Sequence, residues 1–253
     1  MCTLAIYFET FERYPVVIAA NRDEYVSRPA IAPAVLNENP QVIGGKDLVA
    51  GGTWLGINAH GMVAGLLNRH VDRTIDPARR SRGLLCLDVL RTASIREAVD
   101  LLAHESAADY NPFNLLAASR DEAIVAYNFG DRIEVVSLKP GFHLLTNLNI
   151  DDFECPKISR SWQSFAELAD DPEFARDPLA GRERLRALLS DHLIQLDSRI
   201  GRANAICVHG DGYGTRSSSL IFLGRDGGTA AHFFAPGPPC VTEHASALLP
   251  AGV

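Results

Sequence analysis

Short apolar runs that arrive in neighbouring pairs constrain this chain more than any other feature. Thr3 to Phe8 is apolar and rich in strand formers. After a polar turn, Val16 to Ala20 supplies a second strand, and the two read as a hairpin. Thr53 to Asn58 and Met62 to Asn68 read as another, around Ala59-His60-Gly61. Further strand-like runs are Phe113 to Ala118, Ala123 to Phe129, Arg132 to Leu138 and Phe142 to Thr146. Three more close the chain at Ala203 to His209, Arg216 to Leu223 and Thr229 to Phe234. Ser27 to Pro40 carries Pro29, Pro33 and Pro40 and reads as loop.

Helical patterns intervene twice. Asp76-Pro77 signals a helix start ahead of the apolar face Leu84, Leu85, Leu87, Val89 and Leu90. Ser94-Ile95-Arg96-Glu97 is a capping box that opens a second helix through Val99, Leu101 and Leu102. Two more helices are expected at about Ile158 to Leu168 and Arg182 to Leu193. Strands, helices, strands, helices and strands, joined as hairpins, imply an α+β class with two mainly antiparallel sheets covered by helices. A doubly wound parallel sheet would need β-α-β alternation, which the order lacks. At 253 residues, one domain spanning 1–253 is expected.

Composition narrows the partners. The net charge is −7, and the densest basic cluster is only Arg79, Arg80 and Arg82, so nucleic acid is not an expected partner. The five cysteines, Cys2, Cys86, Cys155, Cys207 and Cys240, include no C-x-x-C pair. A disulfide framework or zinc ribbon is not expected, and a reducing compartment, the cytoplasm, fits best. No run reaches the ~18 apolar residues of a membrane span, and no charged and apolar leader precedes the first strand. The eight histidines show no ligand spacing, so no metal site is expected. Oligomeric state is not legible.

Neither Gly44-Gly45 with Gly51-Gly52 nor the run Gly210-Asp211-Gly212-Tyr213-Gly214 is a G-x-x-x-x-G-K-[ST] loop, and the latter runs into a strand-like segment instead of opening a helix, so both read as turn glycines. No G-x-S-x-G elbow occurs. Cys2 remains. Loss of Met1 would leave a thiol and a free α-amine on one residue, and an amine titrating near ~8 can serve as base for its own side chain. Alone, Cys2 is equally an incidental core cysteine. Polar groups nonetheless recur at strand ends: Asn21-Arg22-Asp23-Glu24, Asn68-Arg69, Asn147 and Arg216. Singly each is a turn or cap; together they suggest one shared edge.

Met1-Cys2, Ala19-Ala20-Asn21-Arg22-Asp23-Glu24 with Ser27-Arg28-Pro29, Gly51-Gly52-Thr53-Trp54-Leu55-Gly56 and Gly212-Tyr213-Gly214-Thr215-Arg216 resemble the signature segments of the NRDE family. That family is also called the transport and Golgi organisation protein 2 family, and the resemblance runs from residue 2 to about 235. The family is in turn similar to the cysteine N-terminal-nucleophile (Ntn) hydrolases, the group of penicillin V acylase, bile salt hydrolase and acid ceramidase. The resemblance implies a four-layer αββα sandwich and cleavage of a non-peptide carbon–nitrogen amide bond without a cofactor, with a small-molecule amide or acyl substrate. It implies Cys2 as nucleophile, Asp23 beside the nucleophile's amine, Asn68 and Asn147 as oxyanion or substrate contacts, and Arg216 near the nucleophile. Asn21 and Arg22 become candidates for substrate binding. The acylases carry an arginine three residues before the aspartate, where this chain has Ala20. Arg22 would have to replace it, and is expected at the rim or behind the site with Asp23 pointing in. The family's links to haem and lipid handling imply an alternative, a non-enzymatic carrier or chaperone, with His60 or Cys86 as haem contacts.

Overall fold

The structure, a computed structural model, describes residues 2–71, 74–194, 205–226 and 229–253. Along the chain come β1 (Thr3–Phe8), β2 (Val16–Tyr25), β3 (Ala30–Glu38), β4 (Gln41–Asp47), β5 (Leu55–Asn58) and β6 (Val63–Asn68). Helices α1 (Arg82–Leu90) and α2 (Ile95–His104) follow, then β7 (Phe113–Ala118), β8 (Ala123–Asn128), β9 (Ile133–Ser137) and β10 (Gly141–Leu145). After α3 (Pro156–Asp170), α4 (Pro172–Arg176) and α5 (Arg182–Leu189), the chain ends in β11 (Tyr213–Leu223), β12 (Ala231–Ala235) and β13 (Ala245–Ser246). Two compact units result. One comprises the residues up to Ser27 together with Pro140–Ala247; the other comprises Arg28–Lys139 and Leu248–Val253.

The first unit holds a six-stranded antiparallel sheet in the order β10-β1-β2-β11-β12-β13. All six residues of β1 are buried, as expected for a strand covered on both faces. Tyr7, Phe11, Phe142, Phe165, Phe174 and Leu185 join this sheet to α3, α4 and α5. Phe142 and Phe165 stack at 5.8 Å, and the Tyr7 hydroxyl donates to the Phe165 carbonyl at 2.6 Å, which satisfies its buried polar end.

The second unit holds a seven-stranded antiparallel sheet, β3 to β9 in chain order, with α1 and α2 inserted between β6 and β7. Val42, Met62, Leu85, Val89, Leu90, Phe113 and Leu115 form its core. Half of the capping box forms as expected, the Glu97 amide donating to Ser94 Oγ at 3.2 Å, while the Glu97 carboxylate accepts from the amide of Ala93, one residue before the cap, at 2.9 Å.

Several local expectations are corrected. The segment around Pro33 is strand, not loop. β3 lies at the sheet's edge, where a proline costs no ladder bond, and its register shifts between Ile31 and Ala34. Gly44 and Gly45 lie inside β4 because nothing larger fits: a Cβ on Gly45 would come within 2.3 Å of the Trp54 ring. Asp76 caps a turn, accepting from the Ala78 amide at 2.9 Å, and the helix begins only at Arg82. α5 stops at Leu189 instead of Leu193. Of the strand expected at 203–209, residues 203–204 lie outside the described residues, and 205–209 contribute only an isolated bridge from His209 to Gly214. β2 runs on to Tyr25, through four polar residues, because β11 stays paired with it along that length after β1 has ended.

Candidate active site

The six-stranded sheet sets the site by register. In β1, Thr3 faces Asn21 of β2 and Leu4 faces Leu145 of β10. Cys2 stands just before β1, and Asn147 two residues past the end of β10. Cys2 and Asp23 are in direct contact: the Asp23 amide donates to Cys2 Sγ at 3.4 Å, and the thiol lies 3.6 Å from the Asp23 carbonyl oxygen. Burial pushes the Cys2 thiol pKa up, and the Asp23 charge adds to that. The Asp23 amide and Arg22 pull the other way without cancelling it. A thiol held this way stays protonated near neutrality, so it needs a base before it can attack.

Asp23 is 4% exposed. Thr215 Oγ donates to its carboxylate at 2.6 Å while accepting from the Val208 amide at 2.9 Å, and the Tyr213 hydroxyl donates to its carbonyl at 3.2 Å. Opposite Asp23 the β2–β11 register shifts between Thr215 and Ser217, which leaves Arg216 as the bulged residue. Arg216 is half-buried, and its Nε is buried with no hydrogen-bond partner among the described residues. The departure from regular pairing near the arginine is therefore on β11.

Arg22 is buried, at 8% exposure, with Glu24 3.9 Å away. It is not on a rim. Asn21 spends both amide hydrogens on backbone carbonyls, Leu189 at 2.8 Å and Ile206 at 3.0 Å, which ties α5 to β2. Asn147 is buried just beyond β10. Asn68 closes β6 in the second unit, where it pairs with Phe113 and is exposed. Neighbouring Arg69 is committed to structure: it donates to Asn114 and lies over the Phe129 ring at 4.2 Å. Met1 lies outside the described residues.

Two residues escaped the sequence reading. Thr215 lies within the Gly212–Arg216 signature segment, where no role was expected of it. Lys157, in the first turn of α3, is fully buried. Burial depresses its pKa, and the charges of Asp23 and Cys2 act to raise it again. A lysine in a helix's first turn opposes the helix dipole, and that anomaly was the available signal. Cys86 is buried in the second unit's core, its thiol pushed up to about 12 by burial, and His60 sits in the turn between β5 and β6.

A family model described as TANGO2, Transport and Golgi organisation 2, matches residues 1–234. The chain belongs to the TANGO2 family. The Transport and Golgi organization protein 2 homolog of Bos taurus is 31% identical over 263 residues, covering 90% of each chain. The Homo sapiens homolog is 30% identical over 257 residues with the same coverage. Among solved structures, penicillin V acylase from Agrobacterium tumefaciens superposes with a TM-score of 0.60 at 13% identity, over 98% of this chain and 84% of that one. The N-acylethanolamine-hydrolyzing acid amidase ortholog of Caenorhabditis elegans gives 0.56 at 17% identity, over 87% and 92%. A mutant conjugated bile acid hydrolase from Clostridium perfringens gives 0.53 at 11% identity, over 98% and 97%. This chain therefore has the fold of the αββα Ntn hydrolases, two antiparallel sheets with flanking helices. Identities this low speak for fold alone. Among its described residues no helix is long and apolar enough to cross a membrane.

Proposed function

We propose that this chain is an Ntn hydrolase that cleaves a non-peptide carbon–nitrogen amide bond with Cys2, once Met1 has been removed. The observation that carries the reading is the contact between the Cys2 thiol and the backbone of Asp23, whose carboxylate is buried and held by Thr215. A cysteine at the start of a strand, with a buried carboxylate beside it, suits a nucleophile whose own α-amine is the base.

In the proposed reaction the amine takes the thiol proton as Sγ attacks the substrate carbonyl carbon. Asn147 donates to the oxyanion, and Asn68 enters on its motif alone. The amine then passes the proton to the leaving nitrogen, the C–N bond breaks, and water hydrolyses the thioester. Asp23 and Lys157 set the charge around the amine. The buried Nε of Arg216, without a hydrogen-bond partner among the described residues, offers a donor to an anionic or carbonyl group of the substrate. Asn21 acts on architecture, and Arg22 on the electrostatics of Cys2. The amidases and acylases among the structurally similar proteins point to an acyl amide as the substrate class.

The test pairs intact mass with a panel of N-acyl amides assayed on wild type and Cys2→Ala. Active wild type should lack Met1, and Cys2→Ala should fold but turn over nothing above background. Turnover by Cys2→Ala, or full retention of Met1 in active protein, would sink the mechanism.

A further inference from the structure

Away from Cys2, the first unit gathers four side chains that the sequence scatters. His192 follows α5, Cys207 and His209 precede β11, and Cys240 lies in a turn beyond β12. One ligand atom from each falls within 4.8 Å of all the others. Cys207 Sγ lies 3.7 Å from Cys240 Sγ and 3.6 Å from His209 Nε2, and His209 Nε2 lies 3.2 Å from Cys240 Sγ.

These separations suit one small tetrahedral ion. Bonds of about 2.3 Å to sulfur and about 2.1 Å to nitrogen place two sulfurs about 3.8 Å apart and sulfur and nitrogen about 3.6 Å apart. A two-iron cluster, with thiolates on one iron and imidazoles on the other, would hold its Cys and His atoms farther apart than this. Two thiolates and two neutral imidazoles are the donor set of tetrahedral zinc, and their charge balances a divalent ion.

The frame around the cluster is rigid at three points. The Cys207 amide donates to the Asp191 carbonyl at 2.8 Å, which sets the His192 ring against that of His209, with centroids 4.9 Å apart. Arg186 donates to the Pro239 carbonyl at 3.0 Å and so holds the Cys240 turn to α5. The Thr242 amide closes that turn on the Pro238 carbonyl at 2.9 Å.

We propose that His192, Cys207, His209 and Cys240 bind a single structural Zn(II). On binding, each thiol releases its proton to solvent as its sulfur–zinc bond forms, and nothing is oxidised or reduced. The ion would fasten the end of α5, the Cys207–His209 segment and the Cys240 turn together. That segment also donates the Val208 amide to Thr215, the residue that holds Asp23. The proposal is independent of the hydrolase reading.

The test uses the full chain, purified under reducing conditions and dialysed against zinc or cobalt, with metal content and absorbance as readouts. Wild type should retain one zinc per chain, and cobalt should give the strong visible bands of a tetrahedral ion with a near-ultraviolet thiolate charge-transfer band. Cys2→Ala should retain both signals, which separates this site from the candidate active site. The Cys207→Ser/Cys240→Ser double variant should lose both. His192 is exposed, so His192→Ala should fold and bind zinc at least about 10-fold more weakly, the lower end of what losing even an outer partner of a ligand costs. Wild type that holds no zinc after dialysis overturns the proposal. So does a folded double variant that keeps the full metal content, or an unchanged affinity in His192→Ala.

Discussion

Around Cys2 the decisive contacts run through backbone groups, which is why they are hard to anticipate from side-chain types. Asp23 meets the thiol through its amide and carbonyl, while its carboxylate is engaged by Thr215. A second residue of the same unit, His244 just before β13, shows how burial can fix a protonation state. His244 Nε2 lies 3.1 Å from Ser218 Oγ, whose hydroxyl donates to the Ala20 carbonyl, so Nε2 carries the imidazole's proton. Its Nδ1 is buried without a hydrogen-bond partner among the described residues. Charging the ring would put a proton there with no acceptor. Desolvation, reinforced by Arg186, brings the pKa down to about 4 from an ordinary 6.5. Between those values the unfolded chain binds more protons than the folded one. The contribution is therefore complete above pH 6.5 and is lost progressively as the pH falls toward about 4. Denaturant unfolding of wild type and His244→Asn across pH 4.5 to 7.5 should show the difference in stability shrinking as the pH drops. A constant difference would mean that His244 titrates alike in both states.

At the scale of elements, apolar pattern located strands and helices well wherever their cause was local. β1, β7, β8 and the capped α2 were legible because burial period and cap chemistry lie within each segment. β3 was not, because the tolerance of Pro33 depends on the strand's being at an edge. The polar half of β2 was not, because its partners lie on β11. The same limit hid Lys157 and the His192 cluster, since nothing in their spacing announces what tertiary folding brings together. Glycines repeat the lesson. A Cβ on Gly52 would sit 2.0 Å from the Gly83 carbonyl carbon and 2.3 Å from the Leu84 nitrogen, against the backbone that opens α1. Backbone cannot swing away as a side chain can. Gly52→Ala should therefore reach or exceed the upper end of the ~1–3 kcal/mol typical of overpacking. Gly51 has a left-handed φ of 78° but open space around its Cβ position, so Gly51→Ala should cost only the ~1–2 kcal/mol of that conformation. Urea unfolding of the two variants ranks them, and a larger loss for Gly51→Ala would contradict the close approach of Gly52 to α1.

For the whole molecule, the two units differ in how far along the chain their strands must reach. In the second unit every sheet neighbour is consecutive in sequence, and the widest gap, from β6 to β7, contains only α1, α2 and their connections. The first unit is assembled from both ends. Val16 of β2 pairs with Leu223 of β11, and Leu4 of β1 pairs with Leu145 of β10. Closing a long loop costs more chain entropy than closing a short one, and that cost falls before the contacts that offset it are made. The β1–β2 hairpin is local, but it cannot recruit β11 until nearly the full chain is present. Pulse-labelled hydrogen exchange during refolding should then find amides of β5, β6, β7 and β8 protected before those of β11 and of the polar half of β2. The candidate active site lies on the late pairing, between the end of β2 and the bulge at Arg216. Recovery of Cys2-dependent reactivity should accordingly track the late phase. Protection of β11 ahead of, or together with, β6 and β7 would show that the long-range sheet nucleates folding, and would overturn this order.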